Sequence, residues 1–384
     1  MAQNQQQQNI LEINKFLLSH LNKREQDIIS RRFGLAKTNK QTLEEIGKDH
    51  NLTRERIRQL EAAALKKIKD LESLEAQVSN LSIDIKNILA EYGGLVELNY
   101  LLENLILPYK ITADVGVYKN NLYFVISRLL HEQFDEIQSS EYLKTYLKKK
   151  DEDVDHIEEI VKELSEVVKQ KNTVLTTKEI INTIKNLESH CKHEKKLVSG
   201  NTIDLSEIIK EVAKDEFELL NDNKILYSLL VAAEEIAQNK LGYWGISEWS
   251  EIKPKTINEK IYLILKENKN PMHFTEIAEG INKVGFDKKK ANAATVHNEL
   301  ILGDKYVLVG RGMYTLTEWG YKKGTVTEII GEIIENADKK LTREEIVDEV
   351  LKQRLVKRTT VILALTNNKQ FVKEGDNYTI KKTK

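Results

Sequence analysis

A single cysteine, three prolines and the want of any long hydrophobic run set the first limits on this 384-residue chain. Cys191 stands alone, which excludes an internal disulfide and any zinc site built from several thiolates, and fits a reducing compartment. No stretch approaches the roughly 18 consecutive apolar residues of a membrane span. The start, Met1 to Asn9, is glutamine-rich where a secretory signal would be basic and then apolar. A cytoplasmic location with no membrane partner is expected. Charge of one sign is also missing: 59 Lys and Arg stand against 60 Asp and Glu, which argues against a protein that coats nucleic acid along its whole length. Nor is there a Gly-rich phosphate loop, a nucleophile elbow or a paired acidic motif with a positioned base. The cluster His190-Cys191-Lys192-His193 has the flavour of a metal site but lacks a fourth ligand at suitable spacing. No enzyme activity, cofactor or metal is expected.

The remaining composition, 40% hydrophobic and 31% charged, suits small helical domains with highly charged surfaces, and the length calls for two to four of them. Charge is uneven along the chain. Residues 21–70 carry 13 basic against 8 acidic residues, and 320–384 carry 14 against 10, so phosphate contacts are expected mainly toward the ends. Long stretches place apolar residues at helical spacing, as in Ile157, Ile160, Val161, Leu164, Val167 and Val168. Short runs at Tyr306 to Val309, Met313 to Thr317 and Tyr378 to Ile380 read as strands of hairpins, with Gly310 and Gly312, or Gly375 and Asp376, at the turns. The chain is predicted to be mainly α.

A weak repeat organises the second half. Leu175-Thr176-Thr177-Lys178-Glu179-Ile180 and Leu341-Thr342-Arg343-Glu344-Glu345-Ile346 each combine a capping box with a hydrophobic staple. Met272-His273-Phe274-Thr275-Glu276-Ile277 keeps the glutamate with His273 in the capping place. Each is followed by more helix and an aromatic-bearing hairpin, and Thr295 to Leu300 matches Thr360 to Leu365 where the third helix of a winged helix lies. The expected order is a polar tail over 1–19, a helix-turn-helix over 20–72, a degenerate winged helix over 81–148 with Tyr123 to Leu130 as its third helix, then winged helices over 150–250, 255–321 and 322–384 with small β-hairpin wings. Trp244, Trp249 and Trp319 read as packing between wing and helix.

Between Thr42 and Lys67 the spacing is that of a DNA-reading helix-turn-helix. Thr42 and Glu45 form a capping box, Gly47 permits close helix approach, and Asn51 occupies the turn position that needs positive φ. Thr53 caps a second helix with Ile57, Leu60, Ala64 and Ile68 inward. Arg54, Glu55, Arg58, Gln59 and Ala62 are left outward, with Lys66 and Lys67 toward phosphates. Arg pairs with guanine, Gln with adenine, and Glu accepts from cytosine, so this face can read bases. A merely solvated charged face is the alternative.

The segments Thr42-Leu43-Glu44-Glu45-Ile46-Gly47-Lys48, Leu52 to Ala62 and Ala64 to Ile68 resemble region 4 of primary bacterial sigma factors. The likeness runs upstream through Leu21 to Glu25 and Ile29 to Leu35, covering about residues 20–70. It implies that Arg54, Glu55, Arg58 and Gln59 meet bases of a −35-like promoter element in double-stranded DNA and Arg56 its backbone. It also implies that the upstream helices dock on the β flap of RNA polymerase. The rest of the chain shows no counterpart of the helix that melts the −10 element. Lys255 to Tyr321, with Pro271 to Ile277, Ala293 to Leu300 and Val309 to Tyr314, is similar to the HARE-type winged helix, a family that includes the N-terminal domain of the polymerase delta subunit.

For the later winged helices the polar faces Asn292, Thr295, His297 and Asn298, and Arg358, Thr359 and Thr360, either read a groove or are simply wet, and Arg311 sits at a wing tip. The expected function is a bacterial, nucleoid-associated regulator of transcription initiation. The alternatives are a polymerase-associated interaction scaffold and the DNA-targeting component of a restriction or repair system.

Overall fold

The computed structural model describes residues 10–37, 39–107, 114–197, 203–205, 214–337 and 339–381. Among these the chain is mainly helical, with eighteen α-helices and small antiparallel sheets. It divides into two compact units, residues 1–237 with 244–247 and residues 238–243 with 248–384. No helix among the described residues is long and apolar enough to cross a membrane.

The first unit begins with α1 (Ile10–Ser19), α2 (Lys23–Phe33), α3 (Leu43–His50) and α4 (Arg54–Lys69). The polar tail expected over 1–19 needs correction. Residues 1–9 lie outside the described residues, and from Ile10 onward the chain is a helix that buries Ile10, Ile13 and Leu17, one apolar stripe at helical spacing, with the polar Asn14 buried beside them. Helix α2 starts with a capping box between Asn22 and Glu25 and stops at Gly34, whose φ of 67° is open to glycine. Ile28 of α2, Ile46 of α3 and Ile57 of α4 form a fully buried core, with Leu43, Leu52 and Leu60 packed around it.

Next come α5 (Leu74–Glu91), β1 (Leu95–Glu97), α6 (Leu98–Ile106), α7 (Val115–Phe124), β2 (Phe134–Ile137) and β3 (Tyr146–Lys149). The order β1-β3-β2, with β3 antiparallel to both neighbours, is that of a winged helix. Its third helix begins at Val115, not at Tyr123 as the sequence pattern suggests, and passes into a π-helical turn at Val125–Leu129. That turn interrupts the regular helical period, so pattern matching registers on the later apolar residues.

A second copy consists of α8 (Asp155–Lys171), α9 (Thr177–Lys185), α10 (Glu188–His193), α11 (Lys214–Asn221), α12 (Lys224–Ala232), β4 (Ile236–Gln238) and β5 (Trp244–Ile246). A bridge between Leu175 and Trp244 stands where the first strand of the sheet would be. Residues 186–223 separate its second helix, α9, from its third, α12. Trp244 is buried, and its Nε1 donates to Thr177 Oγ1 at 3.3 Å, so this tryptophan is core.

The second unit holds two further copies. One is α13 (Ile257–Asn268), β6 (Met272–His273), α14 (Phe274–Val284), α15 (Ala293–Leu302), β7 (Tyr306–Gly310) and β8 (Met313–Leu316). The other is α16 (Val326–Glu335), β9 (Leu341–Thr342), α17 (Arg343–Gln353), α18 (Arg358–Asn367), β10 (Phe371–Glu374) and β11 (Asn377–Ile380). Their sheets run β6-β8-β7 and β9-β11-β10, the same order as the first copy. Capping boxes start α9, α14 and α17 through Thr176 and Glu179, His273 and Glu276, and Thr342 and Glu345. The Glu345 carboxyl, hydrogen-bonded by Lys339 and by the Thr342 backbone N–H and hydroxyl, is lowered to about 2.

Candidate nucleic-acid interface

The turn between α3 and α4 is built by two backbone constraints. Asn51 adopts φ 53° and its N–H returns to the carbonyls of Gly47 and Lys48. A Cβ on Gly47 would lie 2.7 Å from the Leu52 carbonyl oxygen, so only glycine lets the turn close over α3. Thr53 then caps α4, its Oγ1 accepting from Arg56 N at 3.1 Å.

Helix α4 buries Ile57, Glu61, Ala64 and Ile68 and leaves Arg54, Glu55, Arg56, Arg58, Gln59, Ala62, Ala63, Lys66 and Lys67 exposed. The exposed polar groups are mutually ordered. Arg58 Nη2 and Nε donate to the two Glu55 oxygens at 2.7 and 2.9 Å, and Arg56 Nη1 donates to Gln59 Oε1 at 3.1 Å. The pairing lowers the Glu55 pKa and raises that of Arg58, keeping both charged. This lattice holds the Arg58 fork outward before any partner arrives, which lessens the ordering cost of a bidentate contact.

The structure gives Lys67 a different task from the phosphate contact suggested by its position. Its Nζ donates to Glu25 Oε1 at 2.6 Å, tying α4 to the capping box of α2. Glu25 is almost fully buried, and the hydrogen bond from Lys67 holds its carboxyl below the usual range. Lys66 remains exposed and outward. Sequence reasoning missed Glu61, which is buried with Arg32 Nε at 3.8 Å. Its neighbours Ala62 and Ala63 mark the outward face, and an acidic residue one position before them looks solvent-facing in sequence.

The third helices of the first two winged-helix copies are packed inside the first unit. Asn121 of α7 accepts from Asn14 Nδ2 at 2.8 Å and donates to the Leu35 carbonyl at 2.9 Å, while Phe124 meets Phe33 with ring centroids 4.9 Å apart. Helix α7 is thus seated on α1 and α2. Helix α12 buries nearly every side chain. Lys224 pairs with Glu91 of α5 at 2.6 Å, both nearly fully buried, and Ser228 Oγ donates to the Leu95 carbonyl at 3.3 Å. Neither helix can enter a DNA groove.

In the second unit, Asn292 is the cap of α15, accepting from Ala294 N at 2.8 Å, and Thr295 and Asn298 are exposed. His297 departs from the wet polar face on which its spacing put it. Its ring lies between Phe274 and Tyr314, at centroid distances of 4.5 and 5.8 Å, because its flanking position on α15 faces the first strand and wing. Arg358 is likewise occupied, held by Asp348 at 3.0 Å and by Glu344 on α17, while Thr359 and Thr360 are exposed. Arg311 is exposed at the wing tip. Among the described residues no three His, Cys, Asp or Glu side chains are grouped to hold a metal ion, and His193 instead bonds Glu159 at 2.8 Å.

A helix-turn-helix with a preorganised outward Arg, Gln and Glu face, carried on winged-helix-like copies, defines a nucleic-acid-binding class of domain. Comparison with known proteins gives that domain its kind: the family model for Sigma-70, region 4 matches residues 17–70. The RNA polymerase sigma factor SigA of Clostridium acetobutylicum is 51% identical over 53 residues, 14% of this chain and 14% of that protein. The sigma factor RpoD of Helicobacter pylori is 52% identical over 54 residues, 14% of this chain and 8% of its own length. SigA4 of Synechococcus elongatus is 52% identical over 54 residues, 14% of this chain and 17% of its own length. The chain therefore spans well under a fifth of these relatives. No solved structure matches it significantly. The HARE-type likeness over 255–321 receives no support from these comparisons and stands on its motifs.

Proposed function

We propose that this protein is a DNA-binding regulator of bacterial transcription initiation, acting in the cytoplasm by binding and not by catalysis. In this reading α4 enters the major groove of a −35-like promoter element. The observation that carries the proposal is the exposed Glu55–Arg58 and Arg56–Gln59 lattice on a helix whose local sequence is half identical to sigma region 4. Arg58 supplies the bidentate guanine contact, Arg54, Glu55 and Gln59 meet the neighbouring bases, and Arg56 meets the backbone.

The test is selection of bound duplexes from a random pool by the intact chain, wild type and Arg58→Ala, followed by affinities on selected and random DNA. Arg58→Ala should lose about 1–3 kcal/mol on the selected site, with relaxed preference at one base position. Equal losses on selected and random duplexes overturn direct reading by α4.

A second reading, a scaffold that grips RNA polymerase through the β flap or core, is favoured by the exposure of Ile301 (61%) and Leu302 (80%) at the end of α15. Capture of core polymerase that survives high salt, with no salt-sensitive DNA binding, would favour it over the first.

A further inference from the structure

We propose that the third winged-helix copy, residues 257–316, is a second double-stranded DNA site, with α15 in a groove and the β7–β8 wing on the adjacent backbone. This rests on the reading of the chain as a DNA binder but not on α4. The internal copies provide the argument. The same fold occurs four times, and in three of them the surface that would meet DNA is spoiled. Helix α7 is covered by α1 and α2, and α12 is buried against α5 and β1. In the last copy Arg358 is bound by two carboxylates of α17, and the wing turn Glu374-Gly375-Asp376 offers no cation to a phosphate, Glu374 being paired with Lys340 at 2.6 Å and Asp376 exposed.

In the third copy each of these features is reversed. The loop before α15 presents Lys288, Lys289 and Lys290, all exposed and with no ion pair among the described residues, and Lys283 is exposed on the last turn of α14. The loop is not loose. Asn282 Nδ2 donates to the Ala291 carbonyl at 2.9 Å and its Oδ1 accepts from Ala291 N at 2.7 Å. Asp287 accepts from Lys260 Nζ at 2.5 Å and from Lys289 N at 2.9 Å. With Asp287 paired to Lys260, the three lysines stand at the start of the helix without an ion pair among the described residues, where the macrodipole adds positive potential. Beyond them α15 exposes Ala294, Thr295 and Asn298, small and neutral groups that a groove can accept, with Glu299 half-buried beside them and Ile301 and Leu302 exposed at the far end of the helix.

The wing is fixed to this same face. Phe274 N donates to the Gly312 carbonyl at 3.1 Å, Gly312 sits against the His273 ring, and Phe274 stacks on His297 of α15. Arg311, one residue before Gly312, is therefore carried at a set position relative to α15. The outer edge of β7 is braced by Leu355 N donating to the Val309 carbonyl at 2.9 Å and by Arg354 donating to the Leu308 carbonyl. His297, which the sequence pattern offers as a reader, is here the hinge pin between wing and helix.

The experiment uses the full chain and a random-sequence duplex, with affinity measured across a salt titration. The variants are Lys288→Ala/Lys289→Ala/Lys290→Ala/Arg311→Ala and its conservative counterpart with Lys288→Arg/Lys289→Arg/Lys290→Arg. Four phosphate contacts contribute about 3–4 to the slope of log affinity against log salt. The alanine variant should lose that much, and the arginine variant should keep wild-type slope and affinity. An unchanged slope in the alanine variant, with unchanged circular dichroism, overturns the proposal, as does loss of polymerase capture without loss of DNA binding. Arg58→Ala run in parallel separates the two readings, since its effect is confined to selected DNA and does not depend on the lysine loop.

Discussion

Replacing Lys67 tests whether α4 is held by an internal ion pair or spends this cation on DNA. Lys67 reaches Glu25 at 2.6 Å, with the lysine half exposed at 54% and the carboxylate at 6%. A charge-assisted hydrogen bond contributes about 1.5–3 kcal/mol, whereas an exposed pair contributes about 0–1. This pair is mixed, and Glu25 keeps the Asn22 N–H at 3.1 Å after the lysine is gone. Lys67→Met should therefore cost about 1 kcal/mol, a roughly fivefold faster amide exchange in the α4 peptide when opening is fast. Glu25 has its pKa lowered in the folded state, first by Lys67, so its stabilisation is present above the unfolded value near 4.3 and is lost as pH falls through the lower folded value. The difference in exchange between wild type and variant should thus be full near pH 7 and fade below about pH 4. Lys66→Ala, by contrast, should leave exchange unchanged and lower the salt slope of DNA binding by about 0.9. If Lys67→Met lowers the slope and leaves exchange unaltered, the assignment of Lys67 to the protein interior is refuted.

Gly47→Ala places a methyl carbon 2.7 Å from a backbone oxygen that cannot rotate away, so it should destabilise the helix-turn-helix by about 1–3 kcal/mol. Exchange in α3 and α4 and loss of the DNA shift check this, and unaltered binding would show that the turn can give. Lys224→Met removes the cation that the buried Glu91 meets at 2.6 Å, and breaking this buried pair from one side should cost about 3–5 kcal/mol in the first unit. Adding Glu91→Leu should restore most of that loss in urea unfolding, and failure of the double variant to recover would mean that the ion pair is not what seats α12.

What could be read from sequence was whatever is written within one turn of the chain. The mainly α class follows from apolar spacing and scarce proline. The helix-turn-helix follows from Thr42 with Glu45, Gly47, Asn51 and Thr53, each of which satisfies a neighbour three to six residues away by hydrogen bond or close approach. The capping boxes at Thr176, His273 and Thr342 are equally local. The helix over Ile10–Ser19 was hidden because its glutamine-rich neighbours blur a short apolar stripe.

Long-range pairing is a different kind of information. Lys67 and Glu25 are 42 positions apart, Lys224 and Glu91 are 133 apart, and nothing in either local sequence distinguishes a lysine destined for a carboxylate from one destined for a phosphate. The same apolar period describes a third helix that packs on its own core alone and one that is buried on every side, as α12 is. Sequence thus suffices to say that helix-turn-helix elements exist and how their helices begin. Which of them face outward is settled by packing between copies, because burial of a helix depends on what its neighbours present and not on its own pattern.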